Sequence, residues 1–487
     1  MTTAFGKRKA RFHALANFRR AQSKNDDIPG AGKTGAPRHE LGKNGIGALG
    51  LWAVLACQFG GAFNDHFFKM LVSLAAIKAG SGDGGGSAYL SLSGVIYVLP
   101  FLLFSGFAGS LTDRFDKRLV MIATKGFEVV LGALALVGLM LGSIEIMLLV
   151  LFLFAAQSAF FSPPKYGILP EIVAPDFLPR ANGLVEFSRY IAIIGGTAMA
   201  GILSSIWGRG SVGLGVTIIA IALLGWAASF GIPTATPRLC QPDGRRMPAS
   251  GMWDGIKIVL ANPKLRLLVG ITTALDFAMT LLSLVVLLLA KTTMGLSDLN
   301  SGLLIALAGI GIAFGSILAG HLSRGRAEMG FLPLGAAGAS ASMIMLSNST
   351  ASFAMTATAL ALMGAFTGFI VVPLYTALQR TAPPGERGRV IGANNFFNMF
   401  GVLVGSGLLW VLHDGLDLAP ARILAILALG ILALTVVALV SSSRLRTRVS
   451  LLAAVSLECL HQVLTLGLTR IRRGPGVLLV RRGARRN

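Results

Sequence analysis

Charge is what this chain has least of. Asp, Glu, Lys and Arg together make up 13% of its 487 residues, against about 25% in ordinary soluble domains. That scarcity excludes a soluble globular protein. Acids are the rarer sign, 21 Asp and Glu against 43 Lys and Arg, for a net charge of +22. Cysteine is nearly missing. Cys57, Cys240 and Cys459 are the three in the chain, and their wide separation excludes both a disulfide framework and a zinc cluster. No metal or other cofactor is expected. The first 45 residues, including GKRKARFHALANFRR, lack an apolar core of signal-peptide length. They are expected to form a basic, solvated tail, or, in a sharper alternative, an amphipathic helix on a membrane surface.

What is abundant is apolar. Hydrophobic residues make up 54% of the chain and the mean hydropathy is +0.72. Apolar runs of about 20 residues, the length that crosses a bilayer as a helix, fall at 47–77, 88–111, 119–141, 144–163, 183–206, 211–233, 266–290, 299–320, 329–347, 352–376, 390–412 and 420–441. The expected fold is therefore an all-α membrane protein with twelve transmembrane helices. The basic residues follow a topology rather than marking a nucleic-acid partner, and none is expected. With both tails and alternate connections on one side, the other side keeps Lys78, Arg209, Lys291 and Arg422. Lys69, Lys125 and Arg189 lie within spans, and all the remaining Lys and Arg share the first side. The positive-inside rule then places both termini in the cytoplasm.

The twelve runs divide into two copies of six. GSLTDRFDKR at 109–118 follows the second run, and GHLSRGR at 320–326 follows the eighth, 211 positions later. Tyr166 and Tyr375 are 209 apart, Asn182 and Asn394 are 212 apart, and Asp65 and Asp276 are 211 apart. The organisation expected is a tail (1–45), a six-helix half (46–233), a basic Pro-containing linker (234–265), a second six-helix half (266–441) and a basic tail (442–487). Two such halves around a central site describe a transporter that rocks between inward-open and outward-open states.

Ionisable residues inside spans are expensive and point to function by default. The stretch FNDHFFK at 63–69 puts Asn64, Asp65, His66 and Lys69 in the first run. Asp65 and Lys69 are four apart, so they share a helix face and can pair. The functional reading is that Asn64, Asp65 and Lys69 face the central cavity and hold a polar head group. Asp65 would suit an ammonium and Lys69 a phosphate. His66 points elsewhere and is expected to pack. Lys125 with Glu128, and Glu186 with Arg189, are each three apart and can neutralise themselves; the alternative gives Lys125 and Arg189 to a phosphate site. Asp276 has no cation beside it in sequence and needs a partner from another helix or from a ligand. Gln157, Asn394, Asn395 and Asn398 add neutral hydrogen-bonding capacity. The turn-forming stretch SPPKYGILPE at 162–171 places Lys165 at a cytoplasmic surface or gate.

GSLTDR at 109–114, between the second and third runs, resembles the signature of the major facilitator superfamily. QFGGAFNDHFFK at 58–69, SPPKYGILPE with ANGLVE at 181–186, and VPLYTALQ with GANNFFN at 392–398 narrow the resemblance to the lysophospholipid transporter family, in particular to the transporter half of transporter–acyltransferase fusions. It covers about residues 46 to 441. It implies carriage of lysophospholipids, typically lysophosphatidylethanolamine, from the outer to the inner leaflet of the bacterial inner membrane for re-acylation, with membrane lipids and a separate acyltransferase as partners. It also implies a gate latch at Gly109, Asp113 and Arg114, the acid capping a helix N-terminus of the opposite half. Asp116 departs from the superfamily pattern, which has glycine there. Residues 450–487 look like the approach to a fused acyltransferase, but no histidine has Asp five positions on. The tail is expected to be a remnant, and no enzymatic activity is assigned. Two rival readings are a proton-coupled exporter of small molecules or drugs working through Asp65 or Asp276, and a non-transporting scaffold for an acyltransferase.

Overall fold

The computed structural model describes residues 46–79, 86–208, 210–234, 251–323, 329–348 and 352–441. Both basic tails and residues 235–250 of the linker lie outside the described residues, so the expected tail helix and acyltransferase remnant do too. The described chain is almost wholly helical. In the first half run α1 (Ile46–Ala79), α2 (Gly86–Arg114), α3 (Lys117–Leu141), α4 (Ile144–Ile172), α5 (Leu178–Trp207) and α6 (Val212–Ser229). The short α7 (Gly251–Ala261) precedes the second half: α8 (Pro263–Leu288), α9 (Asp298–Leu322), α10 (Phe331–Asn348), α11 (Phe353–Thr381), α12 (Arg387–Trp410) and α13 (Pro420–Ser441). A helix stands at each of the twelve apolar runs. Among the described residues, nine helices are long and apolar enough to cross a membrane.

Local chemistry sets the helix ends. The Asp116, Ser143, Asn262, Ser297 and Ser352 side chains accept backbone N–H groups in the first turns of α3, α4, α8, α9 and α11, using donors that have no partner within the helix. Gly142 ends α3 at φ +62°, a conformation that other residues reach only at a cost.

Three features differ from the sequence expectation. Within the stretch expected as linker, residues 251–261 fold as α7. α5 starts five residues before its apolar run, and α8 starts at Pro263 rather than at 266. Most important, α4 does not stop at 163. It continues through Pro163, Pro164 and Pro170 to Ile172, and Lys165 is buried rather than at a surface. A helix proline leaves the carbonyl four residues earlier without its donor, and neighbouring helices can supply one. That happens here: Pro170 frees the Tyr166 carbonyl, which accepts from Gln379 Nε2 of α11 at 3.1 Å.

The halves meet along two seams, α2 against α12 and α5 against α9. Both are tight at the end that carries Arg114, Lys117, Arg180, Arg380, Arg387 and Arg389, called here the basic end. A Cβ on Gly109 would lie 2.9 Å from the Gly388 carbonyl carbon, and one on Gly320 would lie 2.9 Å from the Pro179 carbonyl oxygen. Toward the other end the seams open, since a Cβ on Gly94, Gly201, Gly302 or Gly407 would meet nothing within 4 Å. The halves are therefore closed at the basic end and splayed at the other.

The closed end is held by polar contacts. Asp113 at the end of α2 accepts from the Gly388 and Arg389 backbone N–H groups at 2.6 and 2.9 Å, and from Arg389 Nε at 3.3 Å. This is a carboxylate on the N-terminus of α12, where the helix dipole favours it. Arg114 sits beside it in the last turn of α2. Glu171 of α4 pairs with Lys117 at 3.0 Å and with Arg387 of α12 at 4.0 Å. Asn182 Nδ2 of α5 donates to Gln379 Oε1 and Thr376 Oγ1 of α11 at 2.7 and 3.0 Å. Gly109→Val is expected to force the α2–α12 seam apart and populate a state open at the basic end. Increased labelling there by a membrane-impermeant thiol reagent would show it, and unchanged labelling of folded protein would count against this account of the seam.

Candidate functional site

Just beyond the closed end, between the halves, lies a narrow, partly open cleft. α5 contributes Glu186, Arg189 and Tyr190; α8 contributes Thr272, Leu275, Asp276 and Met279; α11 contributes Thr367, Val371, Leu374 and Tyr375; and α12 contributes Asn398. Its floor is an aromatic stack made by the repeat itself. Tyr166 of α4 and its counterpart Tyr375 of α11 lie with ring centroids 4.7 Å apart and planes 19° apart. The Tyr166 hydroxyl donates to Glu186 Oε1 at 2.7 Å, and Arg189 Nη1 donates to Glu186 Oε2 at 3.3 Å. Both oxygens of the buried Glu186 are thus occupied. Arg189, whose side chain is 37% exposed, spends one of its five donors on that contact and lines the cleft. Its guanidinium also lies over the Tyr190 ring, 5.3 Å from the centroid.

Asp276 faces this arrangement from the opposite half. It lies within electrostatic reach of Arg189 and Glu186 and lines the cleft. Nearby, Thr272 donates to Asn394 at 2.6 Å and Thr273 to Asn398 at 3.4 Å. The cleft therefore offers a cation on α5, an acid on α8, and Leu275, Met279, Val371 and Leu374 as apolar wall.

The other polar residues of the first half form a separate cluster. Glu128 of α3 accepts from Lys125 at 2.6 Å, Asn64 at 3.0 Å and Gln157 at 3.2 Å. Lys125 and Glu128 are 0% and 1% exposed, so this pair neutralises itself inside the bundle. A Cβ on Gly61 of α1 would come within 2.5 Å of Lys125 Nζ; glycine there lets α1 pack over the ion pair. Asp65 accepts from Ser158 of α4 and makes no ion pair with Lys69. Lys69 Nζ instead lies 4.4 Å from the centroid of the Tyr97 ring, and His66 packs against the edge of the same ring. Lys165 Nζ donates to Gln58 at 2.7 Å and stands 4.2 Å from the Tyr166 ring centroid.

Of the residues singled out in sequence, the structure gathers Glu186, Arg189 and Asp276 at the cleft. Asn64, Lys125 and Glu128 are gathered in the buried cluster, Asp65 and Lys69 lie on α1 against Ser158 and Tyr97, and Lys165 lies against the Tyr166 ring. Sequence reasoning missed the tyrosines. The chain has five, and Tyr166, Tyr190 and Tyr375 all converge here, so their rarity was the available signal.

Two pseudo-symmetric helical halves, closed at one end over a polar cleft, are the architecture of a membrane transporter. The chain belongs to the Major Facilitator Superfamily, whose family model matches residues 51–406. It is 28% identical over 349 residues to the lysophospholipid transporter LplT of Yersinia pestis (strain Pestoides F), covering 70% of this chain and 80% of that relative. To the protein of the same name in Photorhabdus laumondii it is 35% identical over 188 residues, 38% of this chain and 41% of the relative. Among solved structures, it superposes on the human organic anion transporter MFSD10 (TETRAN) with a TM-score of 0.64 at 13% identity, covering 80% of this chain and 99% of that one. For a bacterial homologue of the iron transporter ferroportin in an outward-facing state the TM-score is 0.60 at 15% identity, covering 81% and 98%. At such identities the structural likeness speaks for the fold alone.

Proposed function

We propose that this chain is an alternating-access carrier that takes lysophospholipids, lysophosphatidylethanolamine among them, from the outer to the inner leaflet of a bacterial inner membrane. Both termini and the basic end face the cytoplasm, and a separate acyltransferase there restores the missing chain. The relatives named as lysophospholipid transporters support the substrate class. The observation that carries the reading is the split charge of the cleft: Arg189, anchored by Glu186 on one half, faces Asp276 on the other across apolar wall. A zwitterionic head group spans such a pair, its phosphate forked by the guanidinium and its ammonium on the carboxylate, while the acyl chain stays in apolar surroundings. Because the two charges sit on opposite halves, a bound head group draws the halves together. The closed basic end and open far end fit a state awaiting cargo from the outer leaflet. Asp65 and Lys69, on the first helix, would meet the head group during passage. The chain acts as a carrier and not as an enzyme.

Asp276→Asn tests the assignment. A hydrogen bond to a charged group contributes about 1.5–3 kcal/mol, so affinity for lysophosphatidylethanolamine is expected to fall by about tenfold or more. Affinity for lysophosphatidylglycerol, which has no ammonium, should hold. Equal losses for both lipids, or none for either, would remove Asp276 from the head-group site.

A further inference from the structure

α7 (Gly251–Ala261) has a division of faces that the carrier cycle described above does not use. Gly255, Ile256 and Val259 are buried and Met252 is half-buried, the i, i+3, i+4, i+7 spacing of a helix lying on a surface. Ile256 and Val259 join the apolar core of the second half with Val390 and Ala393 of α12. A Cβ on Gly255 would lie 2.6 Å from the Arg389 carbonyl oxygen. Met252 reaches the other half: a Cβ on Gly106 of α2 would lie 2.6 Å from Met252 Cβ. α7 thus belongs to one half and leans on the other, across the α2–α12 seam. It backs the same Arg389 whose N–H and guanidinium hold Asp113.

The exposed flank carries Trp253, Lys257 and Leu260, again at helical spacing. Trp253 is 64% exposed and Leu260 51%. An exposed Trp and Leu flanking a lysine would be a poor surface in water. The helix is not free to sit in water, however, because Asn262 alone separates it from α8, an apolar helix of membrane-crossing length. That tether holds α7 at the level where α8 leaves the bilayer. Tryptophan is favoured there, and lysine meets anionic head groups.

We propose that α7 is an interfacial clamp. Its Trp253–Lys257–Leu260 face seats in the anionic head-group layer at the basic end, and this seat presses Met252 onto Gly106 and keeps the α2–α12 seam shut. The membrane surface is the partner, and lipid composition sets the balance between the two carrier states. The idea requires that the halves part at the basic end, whatever the cargo.

Two readouts on the full chain in vesicles test it, neither involving transport. Lipids brominated high on the acyl chain should quench a fluorescence component that Trp253→Phe removes. Spin labels at Asp176→Cys and Gly385→Cys, exposed loop positions of opposite halves, in a background freed of native cysteine, report the basic-end separation. In vesicles rich in phosphatidylglycerol the short, closed distance should dominate. Pure phosphatidylcholine should shift the distribution to longer distances. Trp253→Ser/Lys257→Ser/Leu260→Ser, which alters no buried residue, should give the long distances in both lipids. Met252→Ala should do the same while keeping the bromolipid quenching. The proposal is overturned if bromolipids leave Trp253 unquenched, or if the distances stay the same in all variants and both lipids. It is overturned equally if the face proves to be covered by a protein that co-purifies with the carrier.

Discussion

Arg189→Leu is expected to lower lysophospholipid uptake by about thirtyfold or more. Truncating one member of a buried, hydrogen-bonded charge pair costs about 2–5 kcal/mol; Arg189 is 37% exposed, so solvent screening puts the cost at the low end, and each ~1.4 kcal/mol is a factor of ten. Two losses combine here. The phosphate loses its forked partner, and Glu186, 1% exposed, keeps only the Tyr166 hydroxyl. A second variant separates them. Glu186→Leu/Arg189→Leu removes both charges, so no buried carboxylate is stranded, and it should fold better than the single variant while still failing to carry lipid. Arg189→Lys keeps the charge without the planar fork and should fall between. Uptake restored in the double variant would mean that Arg189 serves only to neutralise Glu186.

Lys125→Met should act on stability instead. Its ammonium is fully buried against Glu128, and breaking a buried ion pair from one side costs about 3–5 kcal/mol. Asn64 and Gln157 continue to donate to Glu128, but neither brings a positive charge. The variant should lose much of its folded yield and melt at a lower temperature in detergent, as followed by the release of buried Cys57 to a thiol reagent. Lys125→Met/Glu128→Leu should recover most of the loss, because a neutral, well-packed replacement of a buried pair is often no less stable. The surviving Lys125→Met protein is expected to keep its head-group preference. A changed preference would move Lys125 into the binding site.

The helices were readable because bilayer thickness demands long apolar runs, and the two-half organisation because Asp65/Asp276 and Tyr166/Tyr375 repeat at nearly one offset. The contact between Asp113 and the N-terminus of α12 was expected from the motif, and the carboxylate accepts from the Gly388 and Arg389 N–H groups there. What sequence could not carry was competition among helices. Asp65 and Lys69 share a face, yet Ser158 of α4 occupies the carboxylate and Tyr97 of α2 the ammonium. Pro163, Pro164 and Pro170 pointed to a turn, but α4 stays helical, with Gln379 of the other half bonding the carbonyl that Pro170 frees. Lys165, expected at a cytoplasmic surface or gate, is buried for the same reason. α7 hid inside a stretch read as linker, although its spacing of Met252, Gly255, Ile256 and Val259 was visible. Of the site itself, Glu186, Arg189 and Asp276 were named in sequence. That they meet across the halves, above a floor of paired tyrosines, required the fold.

This carrier is expected to move single-chain phospholipids by grasping a zwitterionic head group between its halves. The most direct test is the inward movement of radiolabelled lysophosphatidylethanolamine across proteoliposomes holding the purified protein, beside Arg189→Leu and Asp276→Asn. Protein-dependent movement is expected, nearly abolished by Arg189→Leu and strongly reduced by Asp276→Asn. Folded wild-type protein that moves no lysolipid, with or without a pH gradient, would contradict it and turn attention to a proton-coupled exporter of small molecules.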